Sequence, residues 1–237
     1  MSATRKPQEA LDFAKQLVKS MPFDRVWDQI AQEASNYIWT AAPWRWSVGV
    51  ISPITLTANT QNFSFVSAPT DFLRLEQCFV SDGTTAREVK PVSSIPGSAT
   101  LTRPPNFVAV TGITASTPSQ ISFEALYPAF PAGKTPEFWA WYKKIVPTIL
   151  DALNTPGALV MDDDYYQIYT EWVLYYAYRY ADDQRAGGAQ VTVTAQGDRQ
   201  IAYSGQLAVA HAALEELRRS ELVLYSFPKI PSPEKDH

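Results

Sequence analysis

One cysteine in 237 residues rules out an internal disulfide, and a thiolate zinc site ordinarily needs at least two. That cysteine, Cys78, lies in the apolar run 73–80 and is expected to be a buried small hydrophobe. Histidine is nearly as scarce. His211 sits among alanines in a helical pattern, where packing is its expected role, and His237 ends the chain. No apolar run approaches the ~20 residues of a bilayer span. The N-terminus carries no apolar leader, so cytosolic synthesis and no membrane partner are expected. A basic stripe is also missing: the net charge is −4, opposite in sign to a general nucleic-acid binder. Phosphate loops and dinucleotide fingerprints are absent. Tyr203-Ser204-Gly205-Gln206 lacks the glycine pair and preceding strand of a nucleophile elbow. The residues read as a protein that is not an enzyme, with no cofactor and no metal.

What is present is aromatic and proline-rich: seven Trp, twelve Tyr and eighteen Pro. The chain divides by period. Residues 1–45 repeat apolar side chains at helical spacing, first Leu11, Ala14, Leu17 and Val18, then Trp27, Ile30, Ala31, Ala34 and Ile38. Asp24 is the expected N-cap of the second run and Pro43 its stop, giving a helical hairpin. Residues 46–146 change to period two. Strands are expected at 54–58, 63–66, 73–80, 107–110, 121–126 and 138–145, with Asp82-Gly83 as a hairpin turn. Residues 147–222 return to helices, at about 162–186 and 198–222, separated by a polar, β-prone loop over 187–197 whose role the residues do not assign. Residues 223–237, with Pro228, Pro231 and Pro233, read as an extended tail. The expected fold is α+β: a helical bundle with an inserted small antiparallel β-sandwich or barrel and an extended C-terminal tail.

The helix over 162–186 is the most informative segment. Tyr165, Tyr169, Trp172, Tyr176 and Tyr180 form one stripe at spacings of three and four, and are expected to face the core. Tyr166, Tyr175 and Tyr178 fall off that stripe, so the helix is expected to touch neighbours on more than one side, its own domain or copies of itself, with some of these three as candidates for a contact with a neighbouring subunit. Asp182 and Asp183 near its end suit a solvated turn or an intersubunit contact with Arg179 or Arg185. Asp162, Asp163 and Asp164 open the helix. Consecutive helical residues point about a third of a turn apart, so this run suits the positive helix end better than one metal ion. Pro43-Trp44-Arg45-Trp46 and Phe138-Trp139-Ala140-Trp141-Tyr142-Lys143-Lys144 mix rings with cations. Packing where helices meet strands is the expected role, and stacking of sugars or single-stranded nucleic acid the alternative.

The order of segments also carries a resemblance. A helix ending in Trp39-Thr40-Ala41-Ala42-Pro43-Trp44-Arg45-Trp46 leads into alternating strands, then Pro69-Thr70-Asp71-Phe72-Leu73-Arg74-Leu75 and the Asp82-Gly83 turn. Trp141-Tyr142-Lys143-Lys144-Ile145-Val146-Pro147 then precedes the acidic helix start and Tyr175-Tyr176-Ala177-Tyr178-Arg179-Tyr180. Over roughly residues 22–222 the chain resembles the head-to-tail adaptor proteins of tailed phages, in particular the tail-tubular-A-like adaptors of short-tailed phages. The resemblance implies a structural protein of the virion head–tail junction, made in the host cytoplasm. It implies a homo-oligomeric, twelve-fold ring between the portal protein and the tail nozzle, through which double-stranded DNA passes. It also implies a C-terminal segment that docks on the portal. Leu224, Tyr225, Phe227 and Ile230 would be its apolar anchors, with Lys229 facing acidic portal residues. A carbohydrate- or receptor-binding tail module is the alternative; Trp139 and Trp141 exposed on one face would favour it, and buried ones the adaptor.

Overall fold

The computed structural model describes residues 4–18, 26–42, 44–81, 85–95, 97–129, 133–159, 161, 163–193 and 199–224. Asp24, Pro43 and the Asp82-Gly83 turn lie outside them. Two compact units divide the chain. One comprises the described residues up to Trp46 together with those of 146–224, and the other those of Ser47–Ile145.

The first unit holds the helices. In α1 (Pro7–Leu17), Pro7 occupies the first turn, where its missing N–H is not needed, and Ala10, Leu11 and Ala14 make the buried stripe. α2 (Val26–Ala41) buries Trp27, Ile30, Ala31, Ala34, Ile38 and Trp39 at the same spacing. α3 (Tyr166–Tyr180) packs against α1, α2 and α4 (Gly205–Leu224). It therefore buries most of its residues rather than a single stripe. It is shorter than the sequence pattern suggests, with single 3-10 turns at Asp163–Tyr165 and Gln184–Ala186 beyond its ends. Within the stretch expected as a loop, β8 (Ala189–Val193) forms a strand that pairs antiparallel with β9 (Arg199–Tyr203). That pair takes the residues expected to start the last helix. α4 instead begins at Gly205 and continues through Leu224, so the helical backbone includes 223 and 224 where an extended tail was expected.

The second unit corrects the expected fold class. The chain is α+β, but neither a helical bundle nor a carrier of a small antiparallel sandwich or barrel. The described β-strands of this unit form one mixed sheet of seven that curls into a half-barrel. Along the chain these are β1 (Val48–Thr55), β2 (Asn62–Ser64), β3 (Phe72–Ser81), β4 (Ala86–Pro91), β5 (Phe107–Thr111), β6 (Gln120–Phe123) and β7 (Glu137–Lys144). Their order across the sheet is β1-β7-β3-β4-β5-β6-β2. The physical reason for the mixed sheet is the link between β4 and β5. It is longer than a dozen residues and contains Pro104-Pro105, so it returns as a crossover and pairs Lys90 with Phe107 in parallel. Breaks in register between Ile51 and Ile54, Phe72 and Arg74, and Leu75 and Gln77 add local twist. The concave face thus gathers Ile51, Phe72, Val89, Val108, Phe123 and Phe138 into one core.

Phe138 is fully buried and meets the Phe123 ring edge-on at 5.7 Å. Phe138→Ala is expected to lower unfolding free energy by ~3–5 kcal/mol. Val66→Ala, at a residue 86% exposed, should change it by less than about 0.5 kcal/mol. Similar shifts in the urea midpoint for both variants would contradict this placement.

Candidate functional site

The helical unit is organised by rings from several elements. Tyr37 of α2 stacks on Trp172 of α3 at 3.8 Å. Trp172 is met edge-on by His211 of α4 at 5.1 Å, and His211 stacks nearly parallel on Tyr203 of β9 at 3.8 Å. His211 is therefore a packed ring, and burial lowers its affinity for a proton. Among the described residues the buried Trp172 indole N–H has no hydrogen-bond acceptor.

The stripe expected to face the core largely does. Tyr169, Trp172 and Tyr176 are buried, while Tyr165 and Tyr180 are half-buried. The Tyr169 hydroxyl donates to the Ala31 carbonyl and the Tyr180 hydroxyl to Glu33 at 2.7 Å. The residues expected to face a neighbouring subunit are placed as follows. Tyr178 is buried in its own unit, and the Arg185 guanidinium sits 4.4 Å over its ring. Tyr166 is half-buried and donates to the Lys6 carbonyl at 2.9 Å. Tyr175 is half-buried, edge-on to Trp172. Arg185 pairs with Asp183 at 2.6 Å, within the chain. Arg179 and Asp182 are exposed, with Asp182 in a left-handed turn at φ 52°. Leu224 lies in the last turn of α4, whereas Tyr225, Phe227, Lys229 and Ile230 lie outside the described residues.

Asp163 does not cap α3. Its carboxylate accepts the Thr4 hydroxyl and the backbone N–H groups of Thr4 and Arg5 at 2.9 and 3.0 Å, tying the start of the chain to the α3 approach. The Thr4 hydroxyl, then the Arg5 N–H, hold it below the ordinary carboxylate range. Asp162 lies outside the described residues. Among the described residues no three His, Cys, Asp or Glu side chains converge as metal ligands. No described helix is long and apolar enough to cross a membrane.

In the sheet unit Trp139 and Trp141 are not both exposed on one face, the arrangement that would favour a sugar-binding module. Trp141 is buried and Trp139 half-buried, stacked on Phe79 at 4.7 Å. Lys143 is buried and donates to the Ser47 hydroxyl at 2.6 Å; burial lowers its amine to about 8. Burial likewise pushes the Cys78 thiol up to about 12, which leaves it a poor nucleophile at neutral pH.

Sequence reasoning missed the β8–β9 arm. Every residue of both strands is exposed. The arm leaves the helical unit through a close crossing of two glycines in left-handed conformation, Gly187 at φ 72° and Gly205 at φ 60°. A Cβ on Gly187 would stand 1.9 Å from the Ser204 carbonyl oxygen, and one on Gly205 would stand 2.7 Å from the Gly187 Cα. Ser204 and Gly188 close the base with reciprocal hydrogen bonds of 3.0 and 3.1 Å. The signal was present: Val191 and Val193 alternate with Gln190 and Thr192 between Gly187-Gly188 and Gly205.

No protein-family model matches the chain, and no curated protein matches its sequence.

Gly187→Ala is expected to destabilise the arm's base by roughly 2 kcal/mol or more, from the left-handed backbone and the carbonyl clash. Amide exchange at Ser204 should rise and the His211 ring resonances should lose the shift from Tyr203, while those of the sheet unit stay unchanged. Unaltered exchange at Ser204 would count against the crossing. The buried tyrosines give a second expectation. Burial pushes Tyr166 and Tyr176 up to about 12 and raises Tyr142 and Tyr169 as well. An unfolded tyrosine ionises near 10. The folded state therefore binds more protons than the unfolded state above about pH 10. The stability these groups provide is complete below that pH and is lost as pH rises towards 12. Their phenolate absorbance should appear only with loss of the circular dichroism signal; ionisation near pH 10 of every tyrosine in a folded chain would refute it.

Proposed function

We propose that this chain is a structural virion protein, a head-to-tail adaptor that forms a ring between the portal and the tail nozzle and lines the DNA conduit. The observation that carries the reading is the β8–β9 arm. A two-stranded ribbon is marginal in water on its own, yet this one exposes Val191, Val193 and Ile201 from a tightly fixed base. Such an arm suits a protein that is completed by neighbours. The order of helical pair, β-unit and aromatic helix supports the same reading. So does the net charge of −4, which suits a channel that lets DNA slide past without adhering. The ring has twelve copies in this proposal. Tyr225, Phe227, Lys229 and Ile230 form the portal-docking segment, and Arg179 and Asp182 are candidates for contacts between copies. The chain performs no catalysis and takes no cofactor.

A truncation after Leu224 tests this reading, because it keeps every described element and removes the docking segment. The truncated chain should fold with an unchanged melting temperature but fail to attach to DNA-filled heads, which then leak their genome. The full chain should appear by electron microscopy as a ring beneath the portal, and should not cleave DNA with Mg²⁺ or Mn²⁺. Heads that mature and retain DNA normally without the chain would refute the proposal.

A further inference from the structure

The register of the arm sorts its side chains by face. Ala189 opposes Tyr203, Val191 opposes Ile201, and Val193 opposes Arg199, so these share one face; Gln190, Thr192, Gln200 and Ala202 take the other. At its base this first face is covered where Tyr203 stacks on His211; beyond that it is apolar and exposed, with Val191 and Val193 each 60% exposed and Ile201 54% exposed. Arg199 stands on that same face and makes no ion pair among the described residues. Elsewhere on the chain, β1 forms the outer strand of the seven-stranded sheet. Beside it lies an open groove of about 380 Å³ lined by Val50, Pro53, Ala86, Trp139 and Glu137. Val50 is 65% exposed there, and Glu137 likewise has no ion-pair partner among the described residues. A second groove of similar volume near Phe72 and Val110 contains Arg74 and no carboxylate, so it offers Arg199 no counter-charge.

We propose that the β8–β9 arm of one copy docks its apolar face in the β1 groove of a second copy, with Arg199 meeting Glu137. The proposal rests on the ring reading and specifies how the ring closes. Arm and groove are different surfaces, so the contact is heterologous. Each docking leaves one arm and one groove free, which is the arrangement that propagates into a ring. The glycine crossing serves this role, because an arm already fixed in direction loses less freedom on docking. The charge pair sets partner and register, and the apolar face supplies the contact area.

The test uses the full chain. Thr192→Cys places a thiol on the polar face of the arm, and Cys78 stays unlabelled because it is buried. The new thiol carries a photo-crosslinker, and this population is mixed with an isotopically heavy, unlabelled one. Cross-links from light arms to heavy chains at 50–53 and 137–139 are expected. Arg199→Glu on the arm should lower that yield by about tenfold, since facing like charges repel at an interface, and Glu137→Arg in the heavy population should restore it. Absence of light-to-heavy product at the highest soluble concentration, or no recovery on the charge swap, overturns the proposal. Rings on heads without arm cross-links overturn it while leaving the adaptor reading intact. Arm cross-links in a chain that never attaches to heads uphold it and count against that reading.

Discussion

The rings of Tyr37, Trp172, His211 and Tyr203 connect α2, α3, α4 and β9, four elements drawn from distant parts of the chain. Each contact requires the others. Trp172 is placed by α3, which is itself held by Tyr169 and Tyr180 donating to α2. Tyr203 reaches His211 only because the chain turns sharply between Gly187 and Gly205. Stacked and edge-on aromatic pairs each add about 0.5–1.5 kcal/mol beyond the area they bury. Their larger effect here is geometric, since they fix where the arm leaves the helices.

Much of the architecture was legible in the sequence because periodicity reports burial. Ala10, Leu11 and Ala14, or Ile30, Ala34 and Ile38, repeat as a helix must if one face is covered. Phe138, Ala140 and Tyr142 alternate as a strand on a core does. Other features had no local signal. Parallel pairing of Lys90 with Phe107 depends on where a long link returns, and no window of neighbouring residues encodes that. β4 was overlooked because Arg87, Glu88 and Lys90 mask the single core residue Val89. The arm was read as a loop because Gln190, Thr192, Arg199 and Gln200 interrupt its apolar residues, although Val191 and Val193 alternate correctly.

The aromatic helix shows where single-chain pattern reading misleads. Several aromatic faces suggested that some of them belong to a partner. α3 has three helices around it, so most directions are already inward, and Tyr178 is covered within its own unit. Composition alone does not separate a helix at the centre of a subunit from one at a subunit boundary. Arg185 illustrates the same point: its charge is met by Asp183 two residues away and its plane by Tyr178. Among the described residues Arg199 in the arm and Glu137 beside β1 have no such ion-pair partner.

The first and last strands of the sheet unit are also neighbours. Val48, just after the chain leaves the helices, pairs directly with Lys143, just before it returns. The unit thus begins and ends at about one inter-strand distance, roughly 5 Å. An insertion whose ends meet imposes almost no loop-closure penalty on the fold that hosts it. The sheet unit is in this sense a cassette, with entry and exit side by side where it joins the helical part of the chain.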